Sequence, residues 1–214
     1  MGLAGPATVD ECRAPGGRSR GCRTMTTTPT RDRIVETADR LFYENGFERT
    51  SFAMIAAAVG ISRGNFYHHF RTKDEILTAV IESRLGATRA MLDEWEAMSA
   101  DPAERVRQYV EIVIRNEDAI QLHGCPVGTL TGELSKLDHP ARRQALEVFE
   151  MFRDWLVIQF GLLGRARDAE DLALHVLMFS QGTATVANAF RDPAWTRREV
   201  DRFQRWLRDE LATS

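Results

Sequence analysis

The segment "AMIAAAVGISRGNFYHHFRTKDEIL", residues 53–77, decides the fold of this protein. An alanine-rich apolar run ends at Gly60, and Ser62 then opens a short run that carries Arg63, Gly64 and two adjacent histidines. Serine before a helix and glycine after one are capping signals, so two short helices joined by a tight turn are predicted. This arrangement is a helix-turn-helix, whose second helix typically enters the major groove of DNA.

The second helix carries different chemistry on its two sides. A helical wheel places Ile61, Phe66 and Phe70 on one side, where they can pack against the preceding helices. Gly64 and His68 face the opposite way. The adjacent histidines are not predicted to bind a metal, because neighbours on a helix point about 100° apart.

The composition restricts where a polyanion could bind. Of the 214 residues, 43% are hydrophobic, which is enough for a core, and the formal net charge is -3. Positive charge must therefore be local, and residues 60–73 contain three arginine or lysine side chains and no acidic one. Cys12, Cys22 and Cys125 show no zinc-ligand spacing, and no apolar run approaches the ~20 residues that span a bilayer. We expect a cytoplasmic protein without metal or cofactor.

Helical spacing continues along the rest of the chain, so the predicted fold is all-α. We divide it into a leader (1–28), a helix-turn-helix module (29–75) and a helical effector-binding and dimerisation domain (76–214). The leader is interpreted as disordered or as a mis-assigned start before Met25. A basic tail that contacts DNA phosphates is the alternative.

Further helices are predicted in the body from capping signals. A long helix to about Met98 connects the module to the body, and Asp101 caps the next helix, which "HGCPVG" ends. A short helix follows over Leu130–Leu134. Later helices span about 140–163 and 168–190, and Thr196 with Glu199 forms a capping box for the last.

Residues 31–77 resemble the TetR family of one-component repressors. The shared pattern comprises an Ala-x-x-Leu-Phe run, Thr50-Ser51, Ile55-Ala56, Val59-Gly60, Gly64, Tyr67-x-His69-Phe70, and Lys73 followed by Leu77. The resemblance implies a DNA-binding module and a helical body that binds a ligand and forms a homodimer, usually through its last two helices.

The resemblance also implies roles for individual side chains. Four match phosphate-contacting positions: Thr50, Ser51, Tyr67 and Lys73. Four match positions at or near base edges: Arg63, Gly64, Asn65 and His68. Arg63 is the first candidate for base readout, since arginine paired with guanine is the commonest specific contact. Ser62 and His69 complete the predicted surface, although His69 equally suits a bracing role and Tyr67 a packing role.

The body is expected to enclose an apolar pocket between helices. Candidate lining residues are Trp95, His123, Cys125, Met151, Trp155, His175 and Met178. Small residues in 179–190 and an apolar stripe on the last helix predict a dimer interface that includes Ala184, Phe203 and Leu207.

We therefore expect a ligand-responsive transcriptional regulator, with a repressor favoured, that binds a palindromic DNA operator as a homodimer. Cys125 precedes Pro126 at a predicted helix start, where a thiolate is favoured, so a thiol-based electrophile or redox sensor is the alternative. A packing role for Cys125 is the simpler reading. A non-sensing DNA-binding protein or a small enzyme is the remaining alternative, but no nucleophile elbow, phosphate loop or zinc-protease motif supports an enzyme.

Overall fold

The computed structural model describes residues 29–212, which form helices joined by short turns. The helices are α1 (Thr30–Asn45), α2 (Phe52–Val59), α3 (Arg63–His69), α4 (Lys73–Met98), α5 (Pro102–Val110), α6 (Ile112–Arg115), α7 (Glu117–His123), α8 (Pro126–Lys136), α9 (Arg142–Leu162), α10 (Ala169–Phe190) and α11 (Pro193–Ala212). The predicted all-α class is confirmed over this part of the chain. The proposals about residues 1–28 and the cysteines at 12 and 22 lie outside the described residues.

Local capping fixes the helix-turn-helix as predicted. The Ser51 hydroxyl accepts a hydrogen bond from the Met54 N–H, and α2 ends at Gly60, whose φ of 74° is left-handed. The Ser62 and Thr72 hydroxyls likewise accept hydrogen bonds from the third residues of α3 and α4. Three successive hydroxyl caps therefore set where α2, α3 and α4 begin.

The module has its own apolar core, but that core extends into the body. Ile34, Ile55 and Phe66 are almost fully buried together with the start of α4. Leu130 and Leu134 of α8 pack into the same cluster. Because α4 and α8 both contribute to it, the module is joined to the body by packing as well as by the chain.

The body contains a second core among α4, α5, α9, α10 and α11. The most extensive packing between helices of the body joins α9 to α10. In the described part of the chain, no helix is long and apolar enough to cross a membrane.

Three predicted boundaries were wrong. The helix expected after Asp101 is divided into α5, α6 and α7. Helix α8 begins at Pro126, as Cys125 and Pro126 predicted, but it continues past Leu134 to Lys136. The last helix begins at Pro193, where the Asp192 carboxylate accepts from the Trp195 N–H, so Thr196 does not cap it. Thr196 is instead buried inside α11, and its hydroxyl donates to the Asp192 carbonyl at 3.1 Å. Asp192 and Pro193 thus separate α10 from α11 and also provide the cap and the first residue of α11.

Candidate functional site

The outward side of α3 forms an exposed polar surface. Arg63, Gly64, Asn65 and His68 are exposed, whereas Phe66 of the same helix is buried. This separation agrees with the helical wheel. A short helix with one polar face and an arginine in its first turn has the form of a major-groove reading helix.

Tyr67 lies beside that surface, and the sequence left open whether its side chain packs or contacts a phosphate. Its ring stacks on Phe52 with centroids 5.7 Å apart and planes inclined by 16°. It nevertheless remains 55% exposed. Packing thus orients the ring and leaves its edge accessible.

The capping serines lie on the same exposed side. Ser51 and Ser62 are exposed, and each hydroxyl oxygen accepts a backbone N–H bond at 3.3 Å. Their O–H groups remain able to donate to a phosphate oxygen.

Two predicted phosphate contacts are engaged inside the protein instead. Thr50 is fully buried, and its hydroxyl donates to the Gly46 carbonyl at 2.7 Å. The Lys73 ammonium donates to the carbonyls of Phe47 and Glu48 at 3.0 and 3.3 Å and lies 4.2 Å from the Phe47 ring. Both side chains brace the turn before α2, so neither is placed as a free phosphate ligand.

The remaining basic surface differs slightly from the predicted one. His69 is half-buried, and its ring lies 5.5 Å from that of His68. Arg49 and Arg71 are exposed near the starts of α2 and α4. Arg49 was missed because it lies between the module's recognised motifs. Among residues 29–212, no cluster of three or more potential ligands is placed to hold a metal.

A cavity of about 460 Å³ lies between the module and the body. Its walls come from α1, α4, α5, α6, α7, α8, α9 and α10 and from the turns beside them. The lining residues are Glu36, Asp39, Arg40, Tyr43, Arg84, Ala87, Thr88, Met91, Tyr109, Ile112, Val113, Asn116, Ile120, Cys125, Pro126, Val127, Phe149, Phe152, Ser180, Gln181 and Ala184. A space of this size suits a small organic molecule.

The charged groups at the α1 side of the cavity are largely paired. Arg84 forms an ion pair with Asp39 at 2.6 Å and donates to the Pro126 carbonyl at 2.6 Å. The Tyr43 hydroxyl donates to the Gly124 carbonyl at 2.6 Å. Burial raises the pKa of Tyr43 to about 12, so this phenol is neutral at physiological pH. Side chains of α1 and α4 are thereby tied to the turn before α8.

Of the seven predicted pocket residues, Cys125 alone lines this cavity. Trp95 and Trp155 pack with ring centroids 5.8 Å apart in the body core, and His175 packs 4.5 Å from the Trp206 ring. His123 packs against Tyr43, Met151 is half-buried against the body core, and Met178 is exposed. Sequence spacing identified apolar helix faces correctly, but which faces border an empty volume depends on how the helices pack.

The residues expected at the dimer interface are buried within the chain. Ala184 lines the cavity, and Leu207 is only 1% exposed. The Phe203 ring stacks on Phe179 with centroids 3.8 Å apart. Exposed apolar side chains occur elsewhere in the body, as pairs one turn apart on two packed helices: Ile158 and Leu162 on α9, and Leu174 and Met178 on α10.

Cys125 occupies the predicted N-cap of α8. It is half-buried, and its sulfur accepts a hydrogen bond from the Gly128 N–H at 3.4 Å. The same residue lines the cavity, so a small molecule there could reach the thiol.

Comparison with known proteins identifies the module directly. Residues 34–80 match the family model described as bacterial regulatory proteins, tetR family. The HTH-type transcriptional repressor DhaR of Mycobacterium sp. is 30% identical over 129 residues, which are 60% of this chain and 64% of that protein. The HTH-type transcriptional regulator TtgR of Pseudomonas putida is 44% identical over 54 residues, 25% of this chain and 26% of that protein. The chain thus spans under two thirds of the length of these curated relatives.

The fold is shared more widely than the sequence. A TetR transcriptional regulator from Legionella pneumophila superposes with a TM-score of 0.74 at 22% identity, over 85% of this chain and 98% of that one. At this identity the likeness concerns the fold alone. The match over residues 34–80 identifies this module as the DNA-binding module of the TetR family, and the named relatives and the common all-helical fold support membership of the chain in that family of bacterial regulatory proteins.

Proposed function

We propose that this protein is a transcriptional repressor that binds a palindromic DNA operator and releases it when a small molecule occupies the cavity. The observation that carries the proposal is that α1 belongs both to the DNA-binding module and to the wall of the cavity. Occupancy of the cavity would therefore act on the module directly. The name of the Mycobacterium relative, a transcriptional repressor, favours repression over activation.

The exposed face of α3 would read the operator. Arg63 suits a bidentate contact to guanine in the major groove, and Asn65 and His68 reach neighbouring base edges. Ser51, Ser62 and Tyr67 would donate to phosphates, and the exposed Arg49 and Arg71 would add local positive charge. Thr50 and Lys73 would support the surface from within.

A homodimer would present two such helices to the two half-sites of a palindrome. One reading helix covers one half-site, and a two-fold axis places a second about 34 Å away. The exposed apolar pairs on α9 and α10 offer a surface for this pairing, in place of the predicted Ala184, Phe203 and Leu207.

The contacts between α8 and the module would transmit the effect of ligand binding to the DNA-binding helices. The Glu133 carboxylate accepts the N–H groups of Phe47 and Glu48 at 2.8 and 2.9 Å, at the turn before α2. The other end of α8 begins at Cys125 and Pro126 in the cavity wall. A shift of α8 caused by a ligand would therefore move the turn that orients α2 and α3.

Binding to DNA from the region upstream of the protein's own gene tests the proposal. We expect tight binding that weakens when small apolar molecules are added. Equal affinity for that DNA and for an unrelated duplex of the same length would contradict operator recognition. Unchanged affinity across a broad set of molecules that occupy the cavity would contradict ligand-controlled release.

A thiol-sensing repressor is the second candidate, because Cys125 lines the cavity and is half-buried. In that case a quinone or an aldehyde would modify Cys125 and release DNA, and Cys125→Ser would abolish the response. Release that persists unchanged in Cys125→Ser, or a Cys125 that stays unmodified, would leave reversible binding in the cavity as the trigger.

A further inference from the structure

We propose that the cavity selects an uncharged, mainly apolar molecule with one polar group, and that Thr88 and Gln181 hold that group. The inference deepens the proposed function and rests on its assumption that the cavity is the effector site. It assigns the chemical class of the ligand and the two side chains that select it.

The wall of the cavity is predominantly apolar. Aromatic, methionine and aliphatic side chains form most of it, including Met91, Tyr109, Ile112, Ile120, Phe149 and Phe152. Such a wall stabilises an apolar body by removing it from water.

Three of the four charged side chains at the cavity have partners already, so the wall offers little to an ion. Arg84 is held by Asp39 and the Pro126 carbonyl, and Arg40 pairs with Glu44 at 3.0 Å. Glu36 is exposed on α1. An ionised ligand would lose its hydration on entering without gaining a compensating charge.

Thr88 presents an unused hydroxyl to this apolar space. The residue is 9% exposed and lines the cavity, and its side chain makes no hydrogen bond with another described residue. Two other polar groups of the wall are engaged, since the Asn116 amide donates to the Ile112 carbonyl at 3.0 Å and the Tyr43 hydroxyl donates to the Gly124 carbonyl at 2.6 Å. A buried hydroxyl without a partner favours a ligand atom that can donate to it or accept from it.

Gln181, on α10, supplies the second unused polar group. It is half-buried and lines the cavity, and within the described residues its side-chain amide makes no hydrogen bond. Its Oε1 lies over Gly128, where an added Cβ would come within 2.5 Å of it. Gly128 therefore leaves room for the amide, which can both donate to and accept from a ligand hydroxyl or carboxamide.

Four probes with one apolar body test the selectivity: biphenyl, 4-phenylphenol, biphenyl-4-carboxylate and 4-phenylbenzylammonium. Calorimetric titration of the full chain at neutral pH gives the four dissociation constants. We expect 4-phenylphenol to bind about five- to tenfold more tightly than biphenyl, as one net hydrogen bond predicts. Both ions should bind at least about tenfold more weakly than 4-phenylphenol. An ion that binds most tightly would overturn the proposal.

Variants then show which side chains make 4-phenylphenol bind more tightly than biphenyl, a difference called the hydroxyl advantage. In Thr88→Val and Gln181→Leu combined, we expect 4-phenylphenol to lose its advantage, while biphenyl affinity stays within about twofold. Gly128→Ala should reduce the advantage by displacing the Gln181 amide without changing any wall residue. Biphenyl binding shows that each variant is folded. An undiminished hydroxyl advantage in the double variant would overturn the assignment.

DNA binding measured in parallel separates this inference from the proposed function. If no probe binds while the chain still recognises its DNA, the ligand class is wrong and the DNA-binding role stands. If the probes bind in the expected order without changing DNA affinity, the ligand class stands and ligand-controlled release is wrong.

Discussion

Arg63 is exposed at the first position of α3, and its guanidinium makes no hydrogen bond or ion pair with another described residue. We expect Arg63→Ala to lower the discrimination between operator and unrelated DNA by about 1–3 kcal/mol, because a bidentate base contact is lost. Competition binding with both DNAs measures this loss. As the control, Arg71→Ala should weaken both complexes equally and reduce the slope of log affinity against log salt by about one. The reverse pattern would mean that α3 is rotated relative to this assignment.

Lys73 illustrates how tertiary contacts change a residue's expected role. The family resemblance predicts that Lys73→Ala weakens binding to all DNA, whereas its ammonium here donates to two carbonyls and lies over Phe47. We expect Lys73→Met to lower the free energy of unfolding by about 1–2 kcal/mol. The salt dependence of DNA binding should change little. A lower salt slope with unchanged stability would restore Lys73 as a phosphate ligand.

At the scale of elements, α8 is the helix that joins cavity and module. Glu133→Ala removes the acceptor for the N–H groups of Phe47 and Glu48. We expect the free energy of unfolding to fall by about 1–3 kcal/mol, because the variant loses hydrogen bonds to a charged group at a half-buried site. Amide exchange at these two positions should accelerate. Lys136→Ala, on the exposed part of the same helix, is the matched control and should change neither measurement.

At the scale of the whole molecule, the exposed pairs on α9 and α10 should decide the oligomeric state. We expect Leu174→Glu combined with Met178→Glu to give a folded monomer, because both side chains are exposed and charges would oppose pairing. Sedimentation and circular dichroism measure association and folding separately. Phe203→Glu, at a residue only 6% exposed, should instead destabilise the chain itself, by more than about 3 kcal/mol. A dimer that survives the double change would place the interface elsewhere.

The sequence by itself determined the helix-turn-helix module and the position of its second helix, α3. The capping hydroxyls at 51, 62 and 72 and the left-handed Gly60 depend on neighbours within about one helical turn, so local chemistry was sufficient to locate them. The helical spacing of apolar residues was likewise sufficient to mark Phe66 as an inward-facing position of α3. The same locality explains why the exposed face of α3 was predicted correctly. The prediction of a capping box at Thr196 was wrong because a second capping signal lies four residues earlier. Asp192 and Pro193 begin the helix there.

Only the tertiary structure decided where the cavity lies and which apolar helix faces remain exposed. It also decided that Thr50 is buried and that Lys73 donates hydrogen bonds to backbone carbonyls. These features depend on residues far apart in the chain, such as Lys73 with Phe47 and Tyr43 with Gly124. An apolar stripe on a helix looks the same in sequence whether it packs internally, borders a cavity or meets a second copy. The relative placement of α1, α4, α8 and α10 distinguishes these outcomes, because it fixes which side chains fill space and which leave it open.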